Sequence, residues 1–409
     1  MQKQKKVLFL GGTAIQIPAI RKAKEMGLYV ITCDNRPSNP GHALADEYHD
    51  ISIADNDAVL QLAEALQVDG VVNYILEPGI QAAAYAQEHM GKPANPYTSV
   101  HTLSNKRLFR QFLADNEFNT PRMFSFREKA EGVALMHDML AENQISLPVV
   151  VKPTDLWGSR GVTRVDDVKD FEAAADCALD NSRGADIIVE EFVEAWHAPL
   201  EGDGFAVDGA LQAHLWGDCY PDPEAPNPIT PVMYCYPSEK PADVMQRLDD
   251  ELQRLMTLLG MRTSAYNIEA RISKDGKVYL MEVAPRNGSN ATTDVTSLAT
   301  GMDIMEATIR IAIGDDCHDI TDAPCQGFWS SYIVHTNKEQ VYRGLSFDEA
   351  FRKDNLVFYQ PLVAEGETIH PYTGTNHTVG MLVARFDTRE ELNAFRDNPS
   401  QYFRLVHSS

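Results

Sequence analysis

Apolar residues in the first hundred positions come in short unbroken runs, KVLFL (6–10), LYVITCD (28–34) and VVNYIL (71–76). Helical patterns separate them, one ending near Gly27 and one near Asp57–Leu66, and another runs on to Gly91. Apolar runs of strand length alternating with helices predict parallel strands covered on both faces. KPANPYTSV (92–100) reads as a Pro-punctuated connection, and a helix resumes at Ser104-Asn105-Lys106 and continues to about Asn116. SLPVVVKPTDLWGSRGVTRV (146–165) reads as two strands joined by a glycine-bearing loop. DDVKDFEAAADCAL follows as a helix and ADIIVEEFVEA (185–195) as a strand. Seven prolines between Tyr220 and Pro241 remove donors and fix φ, predicting an irregular loop of the kind that borders a site. From about Phe328, FWSSYIVHT and VGMLVARFDTREELNAF read as strands with a late helix.

The most informative pattern is AYNIEARISKDGKVYLMEVAPRNGSN (265–290). Asp275-Gly276 predicts a type I′ hairpin turn, with Lys274 paired to Lys277. That register sets Ile272 against Tyr279, Ile268 against Val283 and Glu269 against Glu282. One face is then apolar (Ile268, Ala270, Ile272, Tyr279, Met281, Val283), and the other carries Asn267, Glu269, Arg271 and Glu282. Facing carboxylates repel, so they need a cation. Arg271 could screen them on a solvated face; a hard ion such as Mg²⁺, shared with substrate phosphates, is the functional alternative. Arg286 lies one step further along, where its planar fork reaches a phosphate or carboxylate.

Charge narrows the partners. With 36 basic and 59 acidic residues the net charge is 36 − 59 = −23, which argues against nucleic-acid binding. The six cysteines are scattered without a CxxC pair, as expected of reduced thiols in a cytoplasm. The N-terminus, MQKQKKVLFLGG, reads as a first strand and not a signal peptide, and no apolar window is long enough to predict a membrane span. At 409 residues, 44% hydrophobic and 23% charged, the chain is expected to form a soluble multidomain protein.

Candidate chemistry sits at the predicted strand ends. Gly11, Gly12, Asp34 and Glu77 fall at the carboxyl ends of the parallel strands, where such sheets bind ligands. GGTAIQ lacks the GxGxxG spacing, so a small-substrate pocket fits better than NAD. Lys106 occupies a first helical turn, where the dipole disfavours a cation unless an anion is near. Lys152 with the loop Gly158, Ser159, Arg160, Gly161 offers a point charge beside flexible amides, a phosphate cradle without a Walker A sequence. Glu190-Glu191-Phe192-Val193 offers an acceptor and a short backbone run beside apolar groups, suited to an adenine edge.

In this order and spacing the pieces resemble the ATP-grasp superfamily over roughly residues 5–320. The nearest branch holds biotin carboxylase, the carbamoyl-phosphate synthase large chain, the purine-pathway ligases and the L-amino-acid ligases. The resemblance implies an α/β and α+β multidomain fold. Residues 1–104 would be a Rossmann-like pre-ATP-grasp domain, and 105–320 the ATP-grasp domain with a mobile lid at about 122–188. Residues 321–409 would be a β-rich cap, as in relatives that commonly form homodimers. Lys106 and Lys152 would contact ATP phosphates beneath a flap containing Gly158, Ser159 and Gly161. Glu190 would accept from the adenine amino group, and the backbones of Glu191 and Val193, flanking Phe192, would read its edge. Glu269 and Glu282 would hold Mg²⁺ or Mn²⁺, and Arg286 would stabilise the transferring phosphoryl group or the acyl phosphate. Gly12, Glu77, Asn287 and Asn290 would face substrate.

Two departures stand out. Ala284 replaces the asparagine of Glu-x-Asn-Pro-Arg, leaving Asn287 or Asn290 as substitutes, and the ribose acid is either Glu201 or His197. His335 and His377, far apart in the last region, read as structural. The implied activity is ATP-dependent ligation of a small carboxylate to an amine through an acyl phosphate. The alternatives are activation of formate or bicarbonate, or use of a phosphoribosyl amine; an NAD-linked oxidoreductase; and a nucleotide-binding regulator without turnover.

Overall fold

The computed structural model describes residues 4–406 apart from 157, 183 and 185. The first apolar runs form a parallel four-stranded sheet, ordered Glu47–His49, Tyr29–Cys33, Lys6–Leu10, Gly70–Val72. Its runs are unbroken because both faces are covered. Val7 and Phe9 pack under helix Ile17–Glu25, and Leu8 and Leu10 under helices Asn56–Leu66 and Ile80–His89. The first domain is completed from beyond residue 104. Ile309 and Ala312 of helix Ile304–Ala312 join the core of Val7 and Ala23, and Gln87 Nε2 donates to the Ala312 carbonyl at 3.0 Å. The stretch read as a connection at 92–100 already contains the start of helix Tyr97–Ser104.

The next unit is an antiparallel sheet ordered Met123–Phe126, Ile187–Glu191, Val149–Pro153, Thr163–Val165. The strand read at 185–195 is thus shorter at both ends, and residue 185 lies outside the described residues. Strand alternation splits the side chains. Val149, Val151, Ile187 and Val189 pack under helices Lys129–Ala141 and Phe171–Asn181, which turns Val150, Lys152 and Glu190 to the other face.

An eight-stranded antiparallel sheet carries the rest. Its order is Val278–Ala284, Ser264–Ile272, Leu200–Val207, Ala210–Pro221, Pro231–Tyr236, Phe328–Val334, Gly380–Phe386, Leu356–Pro361. It runs without a break through the domain boundary placed at residue 320. The Pro-rich segment is irregular over 222–230 and 237–241, with a strand between. Pro231 opens a strand and Pro237 follows its end, the positions where a missing N–H costs least. Helix Ala242–Leu258 covers the sheet through Val244, Leu248, Leu252 and Leu255, an apolar stripe at helical spacing.

The hairpin differs from expectation in its turn. The Gly276 N–H donates to the Ser273 carbonyl at 2.9 Å with Gly276 at φ +79°, while Ser273 and Lys277 close the loop. This is a turn ending in a left-handed glycine, and it shifts the register by one. Ile272 pairs with Val278 and Arg271 with Tyr279; a bulge after Glu269 then restores Glu269 to Glu282 and Ile268 to Val283. Val278 and Leu280 thereby enter the core, and Tyr279 and Met281, expected there, do not.

Candidate active site

A cavity of about 360 Å³ lies where the three units meet. Its floor is a row of three carboxylates on adjacent strands, Glu201, Glu269 and Glu282, with Glu269 paired to each of its neighbours. Glu201 is buried; Glu269 opens to the cleft. Burial and the neighbouring Glu269 push the Glu201 carboxyl up to about 8, although Asn267 Nδ2 donates to it at 3.2 Å. Enclosure within the cleft and the facing Glu282 likewise push Glu269 up. For Glu282, enclosure opposes ionisation, but Lys106 and then Arg286 outweigh it and hold the carboxyl down.

Lys106 is the first residue of helix Lys106–Asp115, whose N-cap Asn105 accepts from the Leu108 N–H at 3.1 Å. Its Nζ donates to the Leu156 carbonyl at 2.6 Å and stands 3.9 Å from Glu282. Lys152 is buried against Glu190, which also accepts from Arg110 Nε at 2.9 Å. Burial disfavours the ionised Glu190, yet Arg110 and Lys152 together bring its carboxyl down to about 2. Burial pulls Lys152 the other way, below its ordinary range.

This triad adds to the expected role of Glu190. Its buried carboxylate is the shared anion for two cations, a structural part that the sequence reading did not give it. The Glu191 N–H is taken, donating to the Arg122 carbonyl at 3.0 Å, and its carboxylate binds Arg122 and Ser146. Phe192 lines the cavity with the guanidinium groups of Arg164 and Arg271 at 4.3 and 4.6 Å from its ring, and Arg271 Nη1 donates to the Val193 carbonyl at 2.6 Å.

Gly158 and Ser159 line the cavity roof, both with positive φ, +66° and +58°. Gly161 does not line it; it packs on Pro153 and Asn181. The flap rests on the C-terminal region. The Thr375 N–H donates to the Gly158 carbonyl at 3.2 Å, and Asn227 Nδ2 lies 3.4 Å from both the Val162 and Thr373 carbonyls.

At the far end Arg286 grips Glu77 through Nε at 2.8 Å and through Nη2. Burial pushes Glu77 up, partly offset by Arg286. Beside it the Leu76 N–H donates to the Tyr74 carbonyl at 2.9 Å, with Ile75 at φ +71°. A β-branched residue held there costs about 1–3 kcal/mol, and the turn directs Ile75 into the cavity. Asn290 also lines it and donates to the Tyr234 hydroxyl at 3.1 Å.

Besides Gly161, three expected residues lie elsewhere. Gly12 is buried beneath His42, whose ring occupies the space of any added Cβ, and the Gly41 N–H donates to its carbonyl at 2.7 Å; Ile15 reaches the cavity in its place. The same packing, with buried Gln16 donating to the Leu10 and Tyr74 carbonyls, fills the turn a dinucleotide pyrophosphate would need. Asn287 is buried with its Oδ1 accepting from Thr308 at 2.9 Å, away from the cavity. His197 lies outside the cavity wall, and Glu201, inside it, sits beside Glu269.

Sequence reading missed Arg110 and Asp203, and placed Asn267 on the polar hairpin face without a role. Arg110 was detectable at i+4 from Lys106. Asp203 lies two residues from Glu201 on the same strand face, and accepts from Asn267 at 2.9 Å, from the Gly288 N–H at 3.0 Å and from Thr293. It thereby anchors the loop that follows Arg286.

Among the described residues no group of three or more His, Cys, Asp or Glu side chains forms a self-sufficient metal cage. Two facing carboxylates suit Mg²⁺, which keeps waters and takes phosphate oxygens for its other ligands.

A flap over two lysines and a floor of facing carboxylates, set in this three-part fold, define an ATP-grasp architecture. Residues 145–294 match the family model described as an ATP-grasp domain. Over 98% of both chains it is 22% identical to the formate-dependent phosphoribosylglycinamide formyltransferase of Prochlorococcus marinus strain NATL2A. Its fold is similar to the L-amino acid ligase from Bacillus licheniformis, with TM-score 0.81 at 20% identity over the whole of both chains. It is also similar to the biotin carboxylase domain of the Hydrogenobacter thermophilus 2-oxoglutarate carboxylase, solved as a dimer with MgADP and bicarbonate. That match has TM-score 0.73 at 17% identity and covers 99% of this chain and 91% of the other.

Proposed function

We propose that the protein is an ATP-dependent carboxylate–amine ligase that works through an acyl phosphate and releases ADP and phosphate. The observation that carries this reading is the Glu269–Glu282 pair on the cavity floor, with Lys106, Lys152 and the flap to one side and Arg286 to the other. Glu269 and Glu282 would hold Mg²⁺ or Mn²⁺, which when bound neutralises the phosphate charge. Phe192 and Val193 would seat the adenine. Lys106, drawn toward Glu282, and Lys152, held by Glu190, would meet the phosphates as fixed positive charges.

A substrate carboxylate oxygen attacks the γ-phosphorus, the bond to the β-bridging oxygen breaks, and ADP is formed. The amine nitrogen then attacks the acyl carbon, the C–N bond forms, and phosphate leaves with the released proton. Arg286 would stabilise the transferring group, and Glu77 would orient the amine. The flap, resting on the Thr375 and Asn227 contacts, would keep water from the acyl phosphate. No helix among the described residues is long and apolar enough to cross a membrane. The six free thiols suit the reducing cytoplasm, and the dimeric relative supports a homodimer, which light scattering would test.

The test is substrate-dependent ADP release by Glu269→Ala and Arg286→Ala. Both should fall by at least about a thousandfold, several kcal/mol of transition-state stabilisation, with circular dichroism unchanged. Near-normal turnover in both refutes the assignment.

A further inference from the structure

The cavity's charges are unevenly distributed. Its described cations are Lys106, Lys152, Arg271 and Arg286. The first three face the row of carboxylates or the Phe192–Val193 run, the half assigned to nucleotide. In the other half stands Arg286 alone, already engaged by Glu77. The rest of that half's wall includes Ile15, Ile75, Leu76, Leu362, Met381 and the buried Tyr234, together with the uncharged Ser289, Asn290 and Thr378 and no further described cation. Ile15 and Leu362 come from different domains, joined where Gln360 Nε2 lies 3.4 Å from the Ala14 carbonyl. Ile75 reaches the wall from a backbone conformation that β-branched residues rarely adopt.

We infer that the second substrate is an amine with an apolar side chain and no phosphate, most simply a neutral α-amino acid. Glu77 takes its ammonium group, Arg286 its carboxylate, and the apolar wall its side chain. A phosphorylated sugar amine fits poorly, because a phosphomonoester brings about −1.5 to −2 charges into a wall whose cation is matched by Glu77. This inference rests on the ligase reading and narrows it, setting the chain apart from relatives named for phosphoribosyl substrates.

The experiment measures ADP release from ATP and Mg²⁺ with pairs of neutral amino acids (L-alanine, L-methionine, L-leucine, L-phenylalanine), and separately with glycinamide ribonucleotide plus formate. MgADP-induced thermal stabilisation is recorded in parallel. Turnover with the apolar probes is expected, with kcat/KM rising at least about tenfold from L-alanine to L-leucine. Leu362→Lys should raise KM for the apolar amine at least about tenfold and leave KM for ATP within about twofold. If MgADP fails to stabilise the protein, the ligase reading itself fails. If MgADP stabilises it, and glycinamide ribonucleotide outperforms every apolar probe or no apolar probe is turned over, the inference is overturned while that reading stands.

Discussion

Replacing Glu190 by glutamine tests the charge arrangement behind Lys152. The side chains of Arg110 and Glu190 are 1% and 2% exposed and that of Lys152 is 11% exposed, so the substitution leaves two buried cations without their shared anion. Removing one partner of a buried ion pair costs about 3–5 kcal/mol. Proton linkage gives a similar figure. Lowering the carboxyl from 4.5 to about 2, at about 1.4 kcal/mol per unit, amounts to about 3 kcal/mol. Because the folded pKa is depressed, this stability is fully present above the unfolded value and is lost as pH falls from there through about 2.

With an unfolding entropy of about 2.1 cal/mol/K per residue, a chain of this length melting as one unit should lose about 4–6 °C in Tm at pH 7. The loss is larger if the domain melts alone. Scanning calorimetry at pH 7 and pH 3 is the assay, with Arg110→Met and the double variant closing a cycle. The double variant should recover part of the loss, and the gap between parent and Glu190→Gln should narrow by roughly half at pH 3. A Tm within about 1 °C of the parent at pH 7, or a gap independent of pH, would show that Glu190 is not the anion for both cations.

The raised carboxyl of Glu201 predicts proton release when MgADP binds near pH 7, because the metal favours the ionised row. Calorimetric titration in buffers of different ionisation enthalpy reads it, and Glu201→Gln should reduce it; buffer-independent heats for the parent count against the assignment. The same raised pKa makes ionised Glu201 a cost that grows as pH rises from 4.5 toward about 8. Glu201→Gln should therefore gain stability relative to the parent across that window, as urea midpoints at pH 5 and 8.5 would show. Asn227→Ala removes one flap support, a neutral hydrogen bond worth about 1 kcal/mol. KM for ATP should rise about fivefold, with faster tryptic cleavage after Arg160; unchanged cleavage would place the support elsewhere. Asp203→Asn weakens the anchor of the loop after Arg286 and should lower kcat at least about tenfold while leaving MgADP affinity unchanged, which a nucleotide titration checks.

The parallel sheet was legible because its unbroken apolar runs have one solution. The opposition of Glu269 and Glu282 was legible too, though by compensation: the turn at Gly276 slips the register and the bulge after Glu269 restores it. Neither event leaves a clear mark in composition. Gly12 was read from its place at a strand's carboxyl end and Asn287 as a stand-in for the asparagine that Ala284 replaces; the His42 ring and the Thr308 hydroxyl, both long-range neighbours, occupy them instead. Glu190 was placed correctly on its strand, but its partner Arg110 comes from a helix 80 positions earlier. The single sheet across residue 320 was hidden because pairing of Pro231–Tyr236 with Phe328–Val334 crosses almost a hundred residues of other structure.

That sheet has a mechanical consequence. The strands bearing Glu269 and Glu282 and the strand bearing Met381 belong to one hydrogen-bonded ladder, so the span between the phosphates and the apolar wall is a fixed gauge set by strand spacing. The lid implied by the resemblance, the small sheet carrying Lys152, would then open and close for nucleotide and product against that ladder. Anything that stiffens the link between that sheet and the ladder should slow the catalytic cycle without altering which molecules it joins.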